Sequence, residues 1–530
     1  MSEPSLPPLV MDLLHPGAYP HAVEGVRLVQ THISYVLLTG GVVYKIKKPV
    51  NFGFLDYTTL EKRRYFCHEE LRLNRRLSPE VYLEVVEIRR DASGRHHVAG
   101  EGEVVEYAVA MRELPQDAAL SARLAAGGAT RDMIERLARL VAEFHLSAAT
   151  NEEIASFGSL ERVKFSIDEN FSQTTGYIGR TMDQDDYAAL KDYSGRFMAE
   201  KTPLFAERVA LGKIRDCHGD LHTQNVYFTN DEIHVLDGIE FNRRFRFLDT
   251  TADLAFLLMD LDFRGFPGYA NRLLNTYLQF TNDYHLLGLL DFYRTYRAYV
   301  WGKIASFEYD MPELERSRRE EVRQRAGAYF RLARGYIGRR PKPPVLATVG
   351  VIGSGKSYMA RRLAERLGAV VVRSDAVRKI LAGASPTDSM RASYGAGIYG
   401  AGMTDQVYAE MLRQAGFATQ AGWPVVLDAT YGRAKQREAV ARFAEQGGWS
   451  LLFVHCGCQD AVIMERLLER SAKQGVSDAG PELMERMRAD FEPLEEPAVT
   501  GRVVRVSDRD PENERMDSIL RALEGLGVRK

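Results

Sequence analysis

The octapeptide GVIGSGKS, Gly350 to Ser357, constrains this chain more than any other stretch. It reads as a glycine, four residues, then Gly355-Lys356-Ser357. Glycines at Gly350, Gly353 and Gly355, with Ser354 between the last two, let backbone N–H groups turn inward around phosphate oxygens. Lys356 reaches the terminal phosphates, and the Ser357 hydroxyl takes a magnesium ion. The loop needs a strand before it and a helix after it, because a helix N-terminus favours an anion. Both are present: the β-branched LATVGV leads in and the amphipathic SYMARRLAERL leads out. Beyond it, AVVVRSD, PVVLDAT and SLLFVHC are near-continuous apolar runs between helical stretches. That alternation predicts a parallel sheet covered on both faces.

This loop is only part of a 530-residue chain, too long for one ordinary domain. The clearest boundary is RGYIGRRPKPPVLATVG, where a charged helical stretch ends at Gly338 and prolines 341, 343 and 344 follow. We therefore expect a first domain over residues 1–340 and a P-loop domain over 341–530. Within the first, residues 30–115 read as short strands around one helix: SYVLLTGGVVYKIKK as a hairpin through Gly40-Gly41, and VYLEVVEIRRDASGRHHVAG as a second, turned at Asp91–Gly94. Between them LEKRRYFCHEELRLNRRL has helical spacing, with Phe66, Leu73 and Leu77 on one face. Residues 118–335 are mainly helical. The expected architecture is α+β with two lobes, followed by an α/β parallel-sheet P-loop domain.

A net charge of -2 gives no global argument for a nucleic-acid or anionic-membrane partner. No apolar run approaches the ~18 residues of a membrane span, and MSEPSLPPLV lacks the basic start of a secretion signal. Four cysteines make no disulfide framework, and Cys456-Gly-Cys458 lacks the second pair of a zinc site. A cytoplasmic protein with reduced thiols and no membrane partner is expected. The sequence carries no signal for an oligomeric state.

The residues around the P-loop narrow its chemistry. VVLDAT places Asp428 where a magnesium-side carboxylate follows a strand, with Ala429 next in place of the glutamate that positions water in motor ATPases. RSDAVRK sets Asp375 and Arg378 three apart. Asp375 can accept a proton from an acceptor hydroxyl while Arg378 holds substrate or phosphate; the plain alternative is a helix N-cap with an exposed arginine. Arg466 and Arg470 lie four apart on one helix, as lid arginines over a transferring phosphate or as a solvated face with Glu465 and Glu469. This half resembles the small P-loop kinases of the polynucleotide-kinase and zeta-toxin group over about residues 345–510. The resemblance implies Lys356 and Ser357 on nucleotide, Asp375 as base and Arg378 on the acceptor.

A second apparatus lies upstream in HGDLHTQN, His218 to Asn225. Asp220 and Asn225 are five apart, the spacing at which an aspartate accepts a hydroxyl proton and an asparagine holds magnesium. IHVLD then delivers Asp237 as a second hard oxygen ligand, while His218 and His222 brace the loop. These eight residues resemble the loop His-Gly-Asp-Leu-His-x-x-Asn of the aminoglycoside phosphotransferase-like kinases, a likeness extending loosely over residues 30–310. It implies Asp220 as base, Asn225 and Asp237 as metal ligands, and Asp253 as a brace. It also implies a strand lysine, Lys45 ahead of Lys47, paired with Glu70, since Glu69 points aside. Two features depart from the pattern: only Gly40-Gly41 stands where a glycine-rich loop would, and Asp237-Gly-Ile-Glu240 replaces Asp-x-Glu, leaving Glu240 without a role.

The whole resembles bacterial bifunctional proteins that join such a domain to a P-loop kinase. The expected activity is a tandem ATP- and Mg2+-dependent transfer of phosphate to the hydroxyl of a small-molecule acceptor, sugar-like or nucleoside-like. A 5'-hydroxyl polynucleotide kinase, with the first domain as a binding module, would need a basic groove near Arg373, Arg378 and Lys379. A non-catalytic nucleotide sensor is the third reading.

Overall fold

The computed structural model describes residues 6–230, 232–312, 314–338, 342–388, 400–471 and 487–528. The chain packs as two compact units, one of residues 1–130, 147–168 and 201–260, the other of residues 131–146, 169–200 and 261–530.

The first unit is built on an antiparallel sheet of β1 (Arg27–Gln30), β2 (Ser34–Leu38), β3 (Val42–Lys47), β4 (Tyr82–Arg90), β5 (His96–Val98) and β6 (Glu103–Arg112), in the order β1-β2-β3-β6-β4-β5. The Gly40-Gly41 and Asp91–Gly94 hairpins are both present. Because side chains alternate across a strand, β3 splits cleanly. Tyr44 and Ile46 join Leu37, Ile88, Ala108 and Ala110 in a core closed by Leu13 and Tyr19, so the chain before residue 30 is part of the fold. Lys45 and Lys47 face the other way.

The Leu60–Asn74 helix begins at Thr59, whose hydroxyl caps Lys62 N. Its buried face is Arg63, Cys67, Glu70, Leu73 and Asn74. This differs from the apolar face expected of Phe66, Leu73 and Leu77: Phe66 is half-buried and Leu77 lies beyond the helix end. Hydrophobic spacing misled here because the buried face carries ion-pairing side chains. Further on, β7 (Ile214–Asp216) pairs with β10 (Phe247–Asp249), and β8 (Val226–Thr229) with β9 (Glu232–Val235).

The second unit contains a wholly parallel sheet of β11 (Val345–Val349), β12 (Val370–Arg373), β13 (Val425–Asp428), β14 (Leu451–Gly457) and β15 (Val503–Ser507), ordered β12-β13-β11-β14-β15. Every residue of β11, β12 and β13 is buried, as expected of strands covered on both faces. β12 is an edge, and helical residues of the same unit cover it. From the Pro267–Thr281 helix, Asn275 Oδ1 accepts the Val371 N–H at 2.6 Å. Asn271 Nδ2 and Asn275 Nδ2 donate to Ala369 O at 2.9 and 3.1 Å, and Tyr284 donates its hydroxyl to Val371 O at 2.6 Å. These side chains replace a missing neighbouring strand. Among the described residues no helix is long and apolar enough to cross a membrane, and all four cysteines are free thiols.

Candidate active sites

In the first unit the segment between β7 and β8 carries His218 to Asn225. Gly219 has φ +87°, and a Cβ there would lie 2.6 Å from Phe245 O, so the turn admits only glycine. Asp253 holds this turn from below, accepting His218 N–H at 3.0 Å and Gly219 N–H at 2.9 Å. His218 Nε2 bonds Leu236 O at 3.0 Å and Nδ1 accepts Asp220 N–H at 3.3 Å, which fixes the Nε2–H tautomer. Burial lowers the pKa of His218 and keeps it neutral. Asn225 Nδ2 donates to Asp220 O at 3.0 Å and to Asp220 Oδ2 at 3.1 Å, and His222 Nε2 lies 3.3 Å from the same Oδ2. Asp220 and Asn225 are thus brought together.

Asn225 O accepts Leu236 N–H at 2.8 Å, which sets the next residue, Asp237, beside this loop. Asp237 takes a left-handed φ of 60°, a conformation aspartate tolerates better than most residues, and donates its N–H to the Tyr82 hydroxyl at 3.1 Å. Its exposed carboxylate meets Lys45 Nζ at 2.7 Å, and Lys45 Nζ is 2.8 Å from Glu70 Oε1. Lys47 Nζ lies 2.7 Å from Glu70 Oε2 and also pairs with Glu240. Both lysines therefore share one glutamate, and Glu240 holds the inner lysine. Burial would raise the Glu70 carboxyl, but the two ammonium groups outweigh it and hold the group at about 2. Glu69 points aside to Arg72, at 2.8 Å.

In the second unit β11 runs into the loop at Gly350, where a Cβ would sit 2.9 Å from Cys456 O. Gly350 N–H donates to Thr430 O at 3.1 Å, tying the loop to the end of β13. Gly355 (φ 89°) starts the Lys356–Leu367 helix. Lys356 Nζ rests on Val351 O at 2.7 Å, and the buried Ser354 hydroxyl has no hydrogen-bond partner among the described residues. Asp428 is buried at the end of β13, accepting Arg373 Nε at 3.1 Å and Thr348 Oγ1 at 3.3 Å. Arg466 reaches the loop: Nη1 lies 3.3 Å from Gly353 O and 3.3 Å from Cys458 Sγ. Arg470 follows on the same helix, and its side chain lies outside the described residues.

Asp375 stands in the first turn of the Ser374–Leu381 helix, whose N-cap is Arg373, so Asp375 is not the cap. Arg378 is buried, not exposed, with Nη1 3.3 Å from Thr404 Oγ1. Arg373, Arg378 and Lys379 are 8%, 7% and 1% exposed. The basic groove that polynucleotide binding would draw from these three is therefore not on the surface.

The residues fit the groups the motifs imply. In the first unit Asp237 and Asn225 offer hard oxygens, the kind magnesium prefers. In the second, Ser354 keeps an orphaned buried hydroxyl, and Gly350 and Gly353 leave no room for a side chain, the form of a phosphate cradle. Sequence reasoning missed the second lysine's bond to Glu240 and the Cys458–Asp508 contact at 2.9 Å beneath Arg466. Only the shared strand face of Lys45 and Lys47 hinted at the first.

Residues 345–494 match the family model described as an AAA domain, and they form a P-loop domain. Among solved structures the chain is similar to a gluconokinase from Sinorhizobium meliloti, 21% identical, covering 36% of this chain and 95% of that one with a TM-score of 0.25. It is similar also to an ethanolamine kinase from Plasmodium vivax, 12% identical, covering 59% and 84% with a TM-score of 0.34. Uncharacterized proteins of Mycobacterium tuberculosis and Mycobacterium bovis are 30% identical over 461 residues, 87% of this chain and 89% of theirs. By that extent of identity, the chain belongs to one family with these mycobacterial proteins.

Proposed function

We propose that the chain is a tandem ATP-dependent phosphotransferase acting on hydroxyl groups of small molecules, sugar-like or nucleoside-like. The observation that carries this is the pairing, in the first unit, of two linked sets. Asp220 with Asn225 supplies a base and an ion-holding amide, and Lys45, Glu70 and Asp237 supply a phosphate-facing cation with its anchors. Magnesium–ATP, when bound, supplies the transferable phosphoryl group. Asn225 and Asp237 would hold the ion. Lys45, kept cationic because Asp237 and Glu70 outweigh its burial, would meet phosphate oxygens. Asp220 accepts the acceptor's hydroxyl proton at its carboxylate, with His222 and Asn225 fixing its plane.

In the second unit Lys356 would serve the phosphates, and Ser357 and Asp428 would hold the ion. Asp375 is the base, Arg378 the acceptor contact, and Arg466 a cation that reaches the loop at Gly353 O. The burial of Arg373, Arg378 and Lys379 favours a small acceptor over a polynucleotide strand, which needs accessible cations along its backbone.

The test is to incubate the protein with ATP, magnesium and a pool of bacterial metabolites, aminoglycosides and 5'-hydroxyl oligonucleotides. Mass spectrometry then follows every species that gains a phosphate, in wild type, Asp220→Ala and Lys356→Ala. Each variant is expected to lose a different small-molecule product. Absence of any phosphorylated product in wild type would overturn the reading, and a phosphorylated oligonucleotide would replace the small acceptor.

A further inference from the structure

With Lys45 as the phosphate-facing lysine, Lys47 is a cation that no step uses. It is 1% exposed, as is Glu70, and Glu240 is 7% exposed. A side chain so enclosed touches no ligand. Burying charged groups rarely adds net stability, because desolvation offsets the attraction, so the arrangement calls for another account.

The geometry offers one. A glutamate carboxylate held at one oxygen swings freely, since its terminal torsion is broad. Here each Glu70 oxygen has its own ammonium: Oε2 lies 2.7 Å from Lys47 Nζ and Oε1 2.8 Å from Lys45 Nζ. Lys47 is fixed in turn by Glu240, whose Oε1 also accepts the Tyr57 hydroxyl at 2.6 Å, and by the Tyr57 ring, 4.9 Å from Nζ. The helix end joins in: Asn74 Nδ2 donates to Glu70 O at 2.9 Å, and Asn74 Oδ1 accepts Gly238 N–H at 2.7 Å. Glu240 and Asp237 belong to one short loop, so whatever sets that loop sets both ends of the chain Glu240–Lys47–Glu70–Lys45–Asp237.

We propose that Lys47, clamped by Glu240 and Tyr57, is a positioning residue that fixes the plane of Glu70 and thereby aims Lys45 at the phosphates of a bound nucleotide. This rests on the phosphotransferase reading of the first unit. It gives Glu240 a role: the carboxylate three residues after Asp237 reports the loop's position to the phosphate-facing lysine.

The test uses the full chain carrying Lys356→Ala, which silences the P-loop, titrated separately with magnesium–ATP and with adenosine. Lys45→Met is expected to weaken magnesium–ATP binding by ~10-fold or more and to leave adenosine within about twofold. Lys47→Met should reproduce that phosphate-selective loss, Glu240→Gln should give a smaller one, and Lys47→Arg should restore much of it. A merely structural Lys47 would move ATP and adenosine together, and that result overturns the proposal. So does Lys47→Met that keeps ATP affinity while Lys45→Met loses it, with the reading of the first unit left standing. If Lys45→Met also keeps ATP affinity, that reading fails and the proposal with it. Should Lys47→Met not fold, Glu240→Gln decides: a loss confined to ATP supports the proposal, and none overturns it.

Discussion

Replacing Asn275 with alanine removes the acceptor of the Val371 N–H and one of two donors to Ala369 O. The two losses differ in kind. Val371 is 1% exposed, and no other acceptor serves its N–H in the edge strand, so that group bears the full desolvation penalty of ~1–3 kcal/mol. Ala369 O keeps its bond from Asn271 at 2.9 Å, so the second loss adds only ~0.5–1 kcal/mol. The expected cost of Asn275→Ala is then ~1.5–4 kcal/mol, or roughly 2–6 °C in Tm for a unit of this size. Asn271→Ala, which orphans nothing, should cost only ~0.5–1.5 kcal/mol. The double variant should exceed the sum, because Ala369 O loses its side-chain donors only when both asparagines are gone. All three tryptophans, Trp301, Trp423 and Trp449, lie in the second unit, so tryptophan fluorescence during urea unfolding reports this unit selectively. Equal costs for the two single variants, or Asn275→Ala within ~0.5 kcal/mol of wild type, would refute the reasoning.

Other consequences follow from the sites. His218 is held neutral, its pKa lowered from the ordinary 6.5 mainly by burial. A lowered histidine contributes stability that is complete above pH 6.5 and is lost as pH falls towards the lowered value. The first unit should therefore weaken below that pH in denaturation curves, and His218→Asn should flatten the slope. Arg466→Ala should lower turnover at the P-loop site by roughly 10³-fold with little change in unfolding midpoint, because arginines facing a transferring phosphate act on the rate; steady-state kinetics within about threefold of wild type would deny it that place. Gly219→Ala forces a Cβ to 2.6 Å from Phe245 O, so it should abolish whichever product Asp220→Ala abolishes, as mass spectrometry of the reaction mixture can check. A fragment of residues 341–530 leaves Ala369 and Val371 without Asn271, Asn275 and Tyr284, and it should aggregate where the intact chain does not, by light scattering.

What was legible in the sequence was what lies close together in it. The P-loop is eight consecutive residues whose glycines, lysine and serine each have one physical reason to be there, and strand and helix patterns on either side agreed. HGDLHTQN was readable for the same cause. The Gly40-Gly41 hairpin put Lys45 and Lys47 on one face, yet nothing local said that Glu240, 193 residues beyond Lys47, would claim one of them. The face of the Leu60–Asn74 helix was misread because Arg63 and Glu70 occupy positions that hydrophobic spacing reserves for apolar side chains. Arg63 is neutralised by Glu106 at 2.7 Å, a partner a helical-period argument cannot see. The exposed Arg378 of the plain alternative failed likewise, since Arg378 is buried and bonded to Thr404 of another helix.

The order in which the chain is made gives the asparagine contacts a further meaning. Asn275 is synthesised 96 residues before Val371, roughly 5–20 s earlier at ordinary elongation rates. The strand's other neighbour, β13, comes later: Val370 pairs with Val425. While the nascent β12 waits for that neighbour, Asn271, Asn275 and Tyr284 are already outside the ribosome to cover its open side. The Pro267–Thr281 helix is therefore made in time to cover this edge before the sheet's next strand exists.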